Sequence, residues 1–292
     1  MYHIISNPTA GRKKKSSKGL KKVFDYLNTN NIEYKLYETK YKLHPTEVAK
    51  KITSENESGD IIVIGGDGTF SEVINGISNL NKWNVSLIPA GSGNDFANCL
   101  KLPKKPLLCL KQILKKDLHK VDCIKVNDTI CVNVLGTGID VKVLENFEKH
   151  TKMKGSFRYF YSLVEALLHV KWHEFDVSLD DKEFVHKKGF IITLCNGSNI
   201  GGGIPICPNA NPFDGKLEFV FVKEMKKIKI LGCLVKLMSG KVFKMKETEH
   251  LYCKKAIFKS NENLTIQIDG NITRSSNIYS CEIINGGLNM YL

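Results

Sequence analysis

No stretch of this 292-residue sequence approaches the roughly 18 consecutive apolar residues that a membrane-spanning helix needs. The opening MYHIISNPTAG is too polar, and its apolar part too short, for a secretory signal. The expected location is therefore cytoplasmic, with any membrane contact peripheral and at the inner face. Paired cysteines are missing too. Nine cysteines (99, 109, 123, 131, 195, 207, 233, 253 and 281) stand singly, with no C-x-x-C pair and no regular spacing. That pattern points to neither a disulfide framework nor a zinc site, and reduced, mostly structural thiols are expected. His169 and His173 stand four apart, but Val170 and Lys171 replace the residues of an HExxH motif, so the pair reads as a helix face. Internal repeats are absent, as is low complexity beyond short lysine clusters. With 42% hydrophobic and 25% charged residues the composition has no bias toward disorder, and the length accommodates two domains.

What is present in excess is lysine, which supplies almost all of the net charge of +13. Such a balance draws phosphates, whether of a nucleotide, a nucleic acid or an anionic lipid headgroup. A solvated lysine-rich surface gives the same number, so charge alone does not choose.

The first part of the chain alternates strand-like and helix-like segments. His3–Ser6, Glu33–Thr39, Ile61–Ile64 and Val85–Ile88 read as short strands. Helical spacing covers His44–Lys51, entered near Pro45, and Ser71–Leu80. Short buried strands alternating with helices imply a parallel sheet with its loops gathered at one end. After about Val121 the chain turns β-rich. Cys123–Val126, Ile130–Val134, Phe175–Leu179, Gly189–Leu194, Lys216–Val222, Ala256–Lys259, Leu264–Ile268 and Cys281–Ile284 are separated by turn signals such as Asp180-Asp181 and Asp269-Gly270. An antiparallel sandwich follows from that pattern, interrupted by helices near Phe157–His169 and Ile228–Met238. The fold expected is α/β plus β. Residues 1–122 form a parallel-sheet nucleotide-binding domain, to which roughly 286–292 return, and residues 123–285 form a β-sandwich.

Three loops carry the chemistry. IIVIGGDGTFSEVINGI, residues 61–77, runs a buried strand into Gly65-Gly66-Asp67-Gly68-Thr69 and out into a helix. Glycines let backbone N–H groups approach phosphate oxygens, and a helix N-terminus adds a positive dipole. Thr69 is placed to cap that helix. Asp67 opposes a phosphate unless a cation intervenes, which implies Mg²⁺ on the nucleotide. No Lys-Ser/Thr follows, so the loop is not a Walker A loop, and it is not G-x-G-x-x-G. SLIPAGSGNDFAN, residues 86–98, has the same construction, with Gly91, Ser92, Asn94 and Asp95 offering donors and oxygens. Asn7-Pro8-Thr9-Ala10-Gly11-Arg12 also follows a strand and places Arg12 to face negative charge. Parallel strands bring all three loops to one edge, where ligands of such sheets bind.

Together NPTAGR, GGDGT-x-x-E-V-x-N-G and P-x-G-S-G-N-D-F-A closely resemble the soluble diacylglycerol kinase catalytic-domain family. That family comprises bacterial diacylglycerol and lipid kinases together with sphingosine and ceramide kinases, and it shares its first domain with NAD kinase. The resemblance continues through Asn133-Val134-Leu135-Gly136-Thr137-Gly138-Ile139-Asp140, through Asn196-Gly197 with Gly201-Gly202-Gly203, and through Pro208-x-Ala210-x-x-x-Asp214-Gly215-x-Leu217. It implies an ATP- and Mg²⁺-dependent kinase acting on a lipid hydroxyl, most readily diacylglycerol to give phosphatidate in phospholipid metabolism, with a lipid cleft in the second domain. Gly65, Gly66, Asp67, Gly68, Thr69, Glu72, Thr39, Gly91, Ser92 and Asn94 would contact ATP. Asn7, Gly11 and Arg12 would line its phosphates. Asp67, Arg12 and Asp95 would serve transfer, Asp67 through Mg²⁺ and water. Asp214, with the backbone carbonyls of Asn211 and Lys216, would hold a structural Mg²⁺, although a simple turn aspartate reads the same way. The implied partners are ATP and a lipid at an anionic membrane surface, with no nucleic acid; a homodimer is admitted.

One departure stands out. The family usually reads D-G-E near the end of a strand, with the glutamate as general base, whereas this chain has Asp269-Gly270-Asn271. An amide orients a hydroxyl but does not take its proton at neutral pH. Loss of a base typically costs about 10²–10⁴-fold, and phosphoryl transfer leans more on positioning than on an early base. Asp269 is then the substitute catalytic carboxylate if its loop shifts, and a plain hairpin turn is the alternative. A catalytically weak or silent nucleotide- or lipid-binding regulator is the competing function, and NAD phosphorylation a third. Residues 226–246 combine an apolar helical face with lysines, which suits a helix packed on the sandwich and also one lying on a charged bilayer.

Overall fold

The computed structural model describes residues 1–8, 13–153, 155–273 and 276–292. The chain divides into two compact units, Met1–Asp122 with Asn285–Leu292, and Cys123–Ile284. In the first, β1 (Tyr2–Ser6), α1 (Lys13–Thr29), β2 (Tyr34–Glu38), α2 (His44–Glu55), β3 (Gly59–Gly65), α3 (Asp67–Gly76), β4 (Trp83–Pro89), α4 (Asp95–Cys99) and α5 (Pro106–Ile113) follow one another. The strands pair in parallel in the order β2-β1-β3-β4. Asn289 of the returning C-terminal segment adds a parallel bridge to Asn84 on β4.

β1 is buried along its whole length and β3 from Ile61 to Gly65. Strands covered on both faces read as unbroken apolar runs, which is why YHII and IIVI show no alternation. On one face Ile4, Ile62, Ile64 and Ile88 pack with Val23 and Leu27 of α1 and Leu110 of α5. α2 lies close to α3 at Gly76, where a Cβ would stand 2.4 Å from the Thr46 carbonyl oxygen. α3 starts four residues before the first helical spacing seen in the sequence, so Asp67, Gly68 and Thr69 form its first turn.

The second unit contains the end of β5 (Leu118–Val126), β6 (Thr129–Cys131), β7 (Val134–Gly138), α6 (Ile139–Lys149), α7 (Gly155–Leu168), β8 (His173–Leu179), β9 (Val185–Cys195) and β10 (Leu217–Lys223). It continues through α8 (Lys227–Met238), β11 (Thr248–Cys253), β12 (Lys255–Leu264), β13 (Ile266–Ile268), β14 (Asn271–Ile272) and most of β15 (Ser276–Tyr291). Its strands pair antiparallel, and β9 is the hub. The first half of β9 pairs with β8, while Ile191–Cys195 run between β7 and β10. Phe175, Leu194, Phe219, Phe221 and Phe258 fill one core. Val134, Val143, Leu163, Phe190, Val220 and Cys233 fill a second, beneath α6, α7 and α8. β10 therefore buries both faces, Phe219 and Phe221 toward the first core and Val220 and Val222 toward the second.

Two sequence readings change. His169 follows the last residue of α7 and His173 opens β8, so the pair does not share a helix face. α6 begins inside the Gly136-Thr137-Gly138-Ile139-Asp140 run, where glycines masked its spacing. All nine cysteines are free thiols, eight of them buried. No described helix is long and apolar enough to cross a membrane.

Candidate nucleotide site and apolar pocket

Parallel pairing puts the carboxyl ends of β1, β3 and β4 at one edge, and side chains then tie the loops together. The Asn7 backbone N–H donates to the Ile64 carbonyl (2.9 Å), and its Nδ2 donates to Thr69 Oγ1 (3.2 Å). Ala90 N–H donates to the Gly65 carbonyl (2.8 Å). A Cβ added at Gly91 would lie 2.5 Å from Gly66 Cα, and one at Gly66 would lie 2.9 Å from Gly91 Cα. The β3 and β4 loops thus meet main chain to main chain at a spacing only glycine permits. Asn94 holds the left-handed conformation (φ 56°), accepts the Gly91 N–H at Oδ1 (2.9 Å) and donates from Nδ2 to the Gly91 carbonyl (3.0 Å). A short amide bonded to nearby backbone offsets the cost of that conformation.

Asp67 is the joint of this edge. Its Oδ2 accepts the Asp95 backbone N–H (3.1 Å) and its Oδ1 the Phe96 N–H (3.0 Å), the first two residues of α4. Those donors have no partner inside their own helix, so an acidic acceptor there is favoured. Asp95 is itself buried. Thr69 does not cap α3: Gly66 holds the cap position with no side-chain bond, and Thr69 folds back over Gly65. The hydroxyl receives the Asn7 amide instead. A Cβ at Gly68 would meet nothing within 4 Å, so space stays open beside the helix N-terminus. Glycine backbone around open space at the start of a ten-residue helix is the donor chemistry a phosphate chain needs, so these residues fit a nucleotide.

The remaining expected contacts sit as follows. Thr39 is buried, and both its N–H (2.8 Å) and Oγ1 (3.3 Å) donate to the Ser6 carbonyl. Glu72 accepts the Leu43 N–H at Oε2 (2.9 Å), while its carbonyl accepts from Thr46 Oγ1 (2.8 Å), anchoring the start of α2. Burial pushes the Glu72 carboxyl pKa upward against that hydrogen bond. Ser92 is exposed in the loop after β4. Gly11 and Arg12 lie outside the described residues.

Within the second unit, Asp269 and Gly270 both have positive φ (50° and 82°) and turn β13 back onto β14, pairing Ile268 with Asn271. Asp269 is 8% exposed and already engaged. Its Oδ2 accepts the Val132 N–H (2.9 Å), and its Oδ1 accepts the N–H groups of Asn133 (2.9 Å) and Val134 (3.3 Å) and the Cys131 thiol (3.2 Å). The expectation that Asp269 can stand in as a base meets that cost: freeing the carboxylate strands three backbone donors. Asn271 is half-buried on β14. Asp214 Oδ1 accepts the Lys216 N–H (3.0 Å) in a turn completed by Gly215 (φ 68°), and Asn211, Asp214 and Lys216 are all exposed. An exposed turn rich in oxygen fits a hard cation such as Mg²⁺.

Nothing in the sequence pointed to an apolar pocket in this unit. A small pocket opens under α6, α7 and α8, lined by Val143, Leu163, Leu167, Phe190, Ile204, Val222 and Leu237. Its carboxyl group is Asp140, the last residue of the Asn133–Asp140 segment. Burial drives the Asp140 pKa up to about 7, opposed by hydrogen bonds from Thr193 and Gln267. Gly136 is obligatory beside it, because a Cβ there would sit 2.0 Å from Asp140 Oδ2. Gly201 (φ 61°) takes the ring of Tyr159, another wall residue, against its Cα, where a Cβ would stand 2.3 Å from the ring. The glycines of two sequence segments thus shape this pocket. The packed face of α8 contributes Cys233 and Leu237 to it, while Val235 and Met238 are exposed.

Comparison with known proteins agrees with this architecture. Residues 1–126 match the diacylglycerol kinase catalytic domain, and residues 133–288 match the YegS C-terminal NAD kinase beta sandwich-like domain. A protein of Staphylococcus epidermidis provisionally named a lipid kinase is 30% identical over 232 residues, 76% of this chain and 74% of its own. A similarly named protein of Staphylococcus aureus is 28% identical over 231 residues, 77% of this chain and 75% of its own. The crystal structure of a diacylglycerol kinase from Bacillus anthracis superposes with a TM-score of 0.80 at 23% identity, over 99% of this chain and 96% of that one. An NAD kinase from Archaeoglobus fulgidus in complex with ATP shares the fold more distantly, with a TM-score of 0.56 at 12% identity over 100% and 94%. The chain belongs to the bacterial diacylglycerol and lipid kinase family, with an N-terminal α/β nucleotide-binding-like domain and a C-terminal β-sandwich domain.

Proposed function

We infer that the protein transfers the γ-phosphoryl group of ATP to a lipid hydroxyl, with diacylglycerol as acceptor and phosphatidate as product. The observation that carries the reading is the meeting of Gly66 with Gly91 and of Asp67 with the start of α4, which makes one polar, glycine-walled edge from separate loops. Backbone N–H groups of that edge and the α3 N-terminus bind the phosphates, and Asn7 and Thr69 orient them through their shared hydrogen bond. Asp67 would hold Mg²⁺ through water, and the ion would supply neutralisation of phosphate charge. Asp214, with the carbonyls of Asn211 and Lys216, would hold a structural cation. The apolar pocket supports a lipid acceptor, since its walls suit acyl carbon and its buried Asp140 offers one polar contact. Lysines at the surface favour dwell at an anionic bilayer.

Incubation with radiolabelled ATP, Mg²⁺ and diacylglycerol in mixed micelles should yield labelled phosphatidate. Absence of label from every lipid tried, with ATP binding intact, defeats the transfer reading. Asn271 favours a second reading, a nucleotide- or lipid-binding protein of little or no turnover, because the amide cannot accept the hydroxyl proton. In that case Asn271→Glu creates activity. Wild-type turnover that Asn271→Glu barely alters removes the second reading.

A further inference from the structure

Sequence spacing excludes a local zinc motif, yet the fold assembles a metal-ligand set from distant positions. Among the described residues, Cys207, Glu218 and His250 place one ligand atom each within 4.8 Å of the others. Glu218 lies on β10, on the side of Val220 and Val222 that faces the helix-covered core. Antiparallel pairing sets Cys195 of β9 directly beside it and puts His250 of β11 opposite Val220, one step along the same face. The segment after β9 then carries Cys207 over the group. Cys207 Sγ donates to Glu218 Oε2 (2.7 Å), and His250 Nε2 lies 2.6 Å from that same oxygen. Cys195, beside Glu218 in the strand register, stands next to this group and is not one of its three converging ligands.

A buried carboxylate in an apolar core is costly unless it is paired or bound to a metal. Glu218 is 3% exposed, and Cys195 and Cys207 are fully buried. The imidazole is held flat against Phe243 (4.0 Å between centroids, 4° between planes), which fixes where Nε2 points. Two donors converge on one carboxylate oxygen, in the places where protons stand for an ion. Ligands about 2.1 Å from a tetrahedral ion sit roughly 3.4 Å apart, so each contact needs to open by less than about 1 Å.

We propose that Cys207, Glu218 and His250 form a structural site for a borderline-soft divalent cation of the zinc type. A thiol sulfur, an imidazole nitrogen and a carboxylate oxygen suit such an ion and do not suit Mg²⁺. On binding, the Cys207 thiol proton and the proton shared by Glu218 and His250 leave to solvent, and the metal takes their place. The site ties β10, β11 and the loop before β10 together. It is separate from the Asp214 turn, whose ligands are all oxygens.

The test uses the full-length protein stripped with a chelator and titrated with Co²⁺ alone. The expected result is one tight equivalent per chain with a near-ultraviolet thiolate-to-cobalt charge-transfer band, bleached by Zn²⁺. Cys207→Ser and His250→Gln should each weaken binding by about 100-fold or more, and Zn²⁺ should raise Tm in the wild type but not in either variant. Asp214→Ala should keep the band. Folding of each variant is checked by circular dichroism, and if one fails to fold the other decides. No charge-transfer band in the wild type overturns the site. So does a band that both folded variants retain.

Discussion

Two aspartates in Asp-Gly pairs do the same physical job in different surroundings. Asp67 binds the N–H groups of Asp95 and Phe96, and Asp269 binds those of Val132, Asn133 and Val134. Each carboxylate staples a separate stretch of backbone. Asp67 does so at a half-buried loop edge beside open space at Gly68, whereas Asp269 does so inside the sandwich. The staple serves the candidate nucleotide edge in one unit and the fold in the other, and exposure separates them.

Removing the staples should break the comparison in opposite ways. Asp67→Asn should lower phosphotransfer by about 10²-fold or more, because the β3 and β4 loops lose their register, with a small change in Tm; steady-state assay beside a thermal melt reads both. Asp269→Ala should instead cost on the order of 3 kcal/mol of stability, since it leaves buried backbone donors unpaired. Urea denaturation checks this, and a stable Asp269→Ala that loses only activity would give Asp269 a direct part in transfer.

Three further substitutions sharpen the same contrast. Gly91→Ala should push the touching loops apart at a cost of about 1–3 kcal/mol and weaken nucleotide binding, measured by calorimetry, while Gly68→Ala should pack freely. For Asp140 the sign runs through its raised pKa of about 7. Between the ordinary carboxylate pKa and about 7 the folded state binds the extra proton, so stability falls as pH rises through that window and levels off above it. Asp140→Asn should remove this slope, worth up to about 3 kcal/mol between pH 5 and pH 8, as read by denaturation midpoints at those two values.

The three Asp-Gly pairs also show what a sequence can carry. Each reads as a turn, yet Asp67-Gly68 opens a helix, Asp214-Gly215 bonds Lys216 in an exposed turn, and Asp269-Gly270 closes a hairpin. Strands such as Ile61–Ile64 and Val85–Ile88 were plain, because their apolar runs and glycine stops are local. The start of α3 was misplaced because two glycines sit in and before its first turn. The pocket and the Cys207–Glu218–His250 group were invisible, since each depends on strands and helices far apart in the chain.

The most direct measurement is calorimetric titration of ATP with Mg²⁺ into the wild type, Asp67→Asn and Asp269→Asn. A nucleotide edge held by Asp67 predicts saturable binding by the wild type and by folded Asp269→Asn, strongly weakened in Asp67→Asn. No ATP binding by the folded wild type, or equal binding by all three, would contradict it.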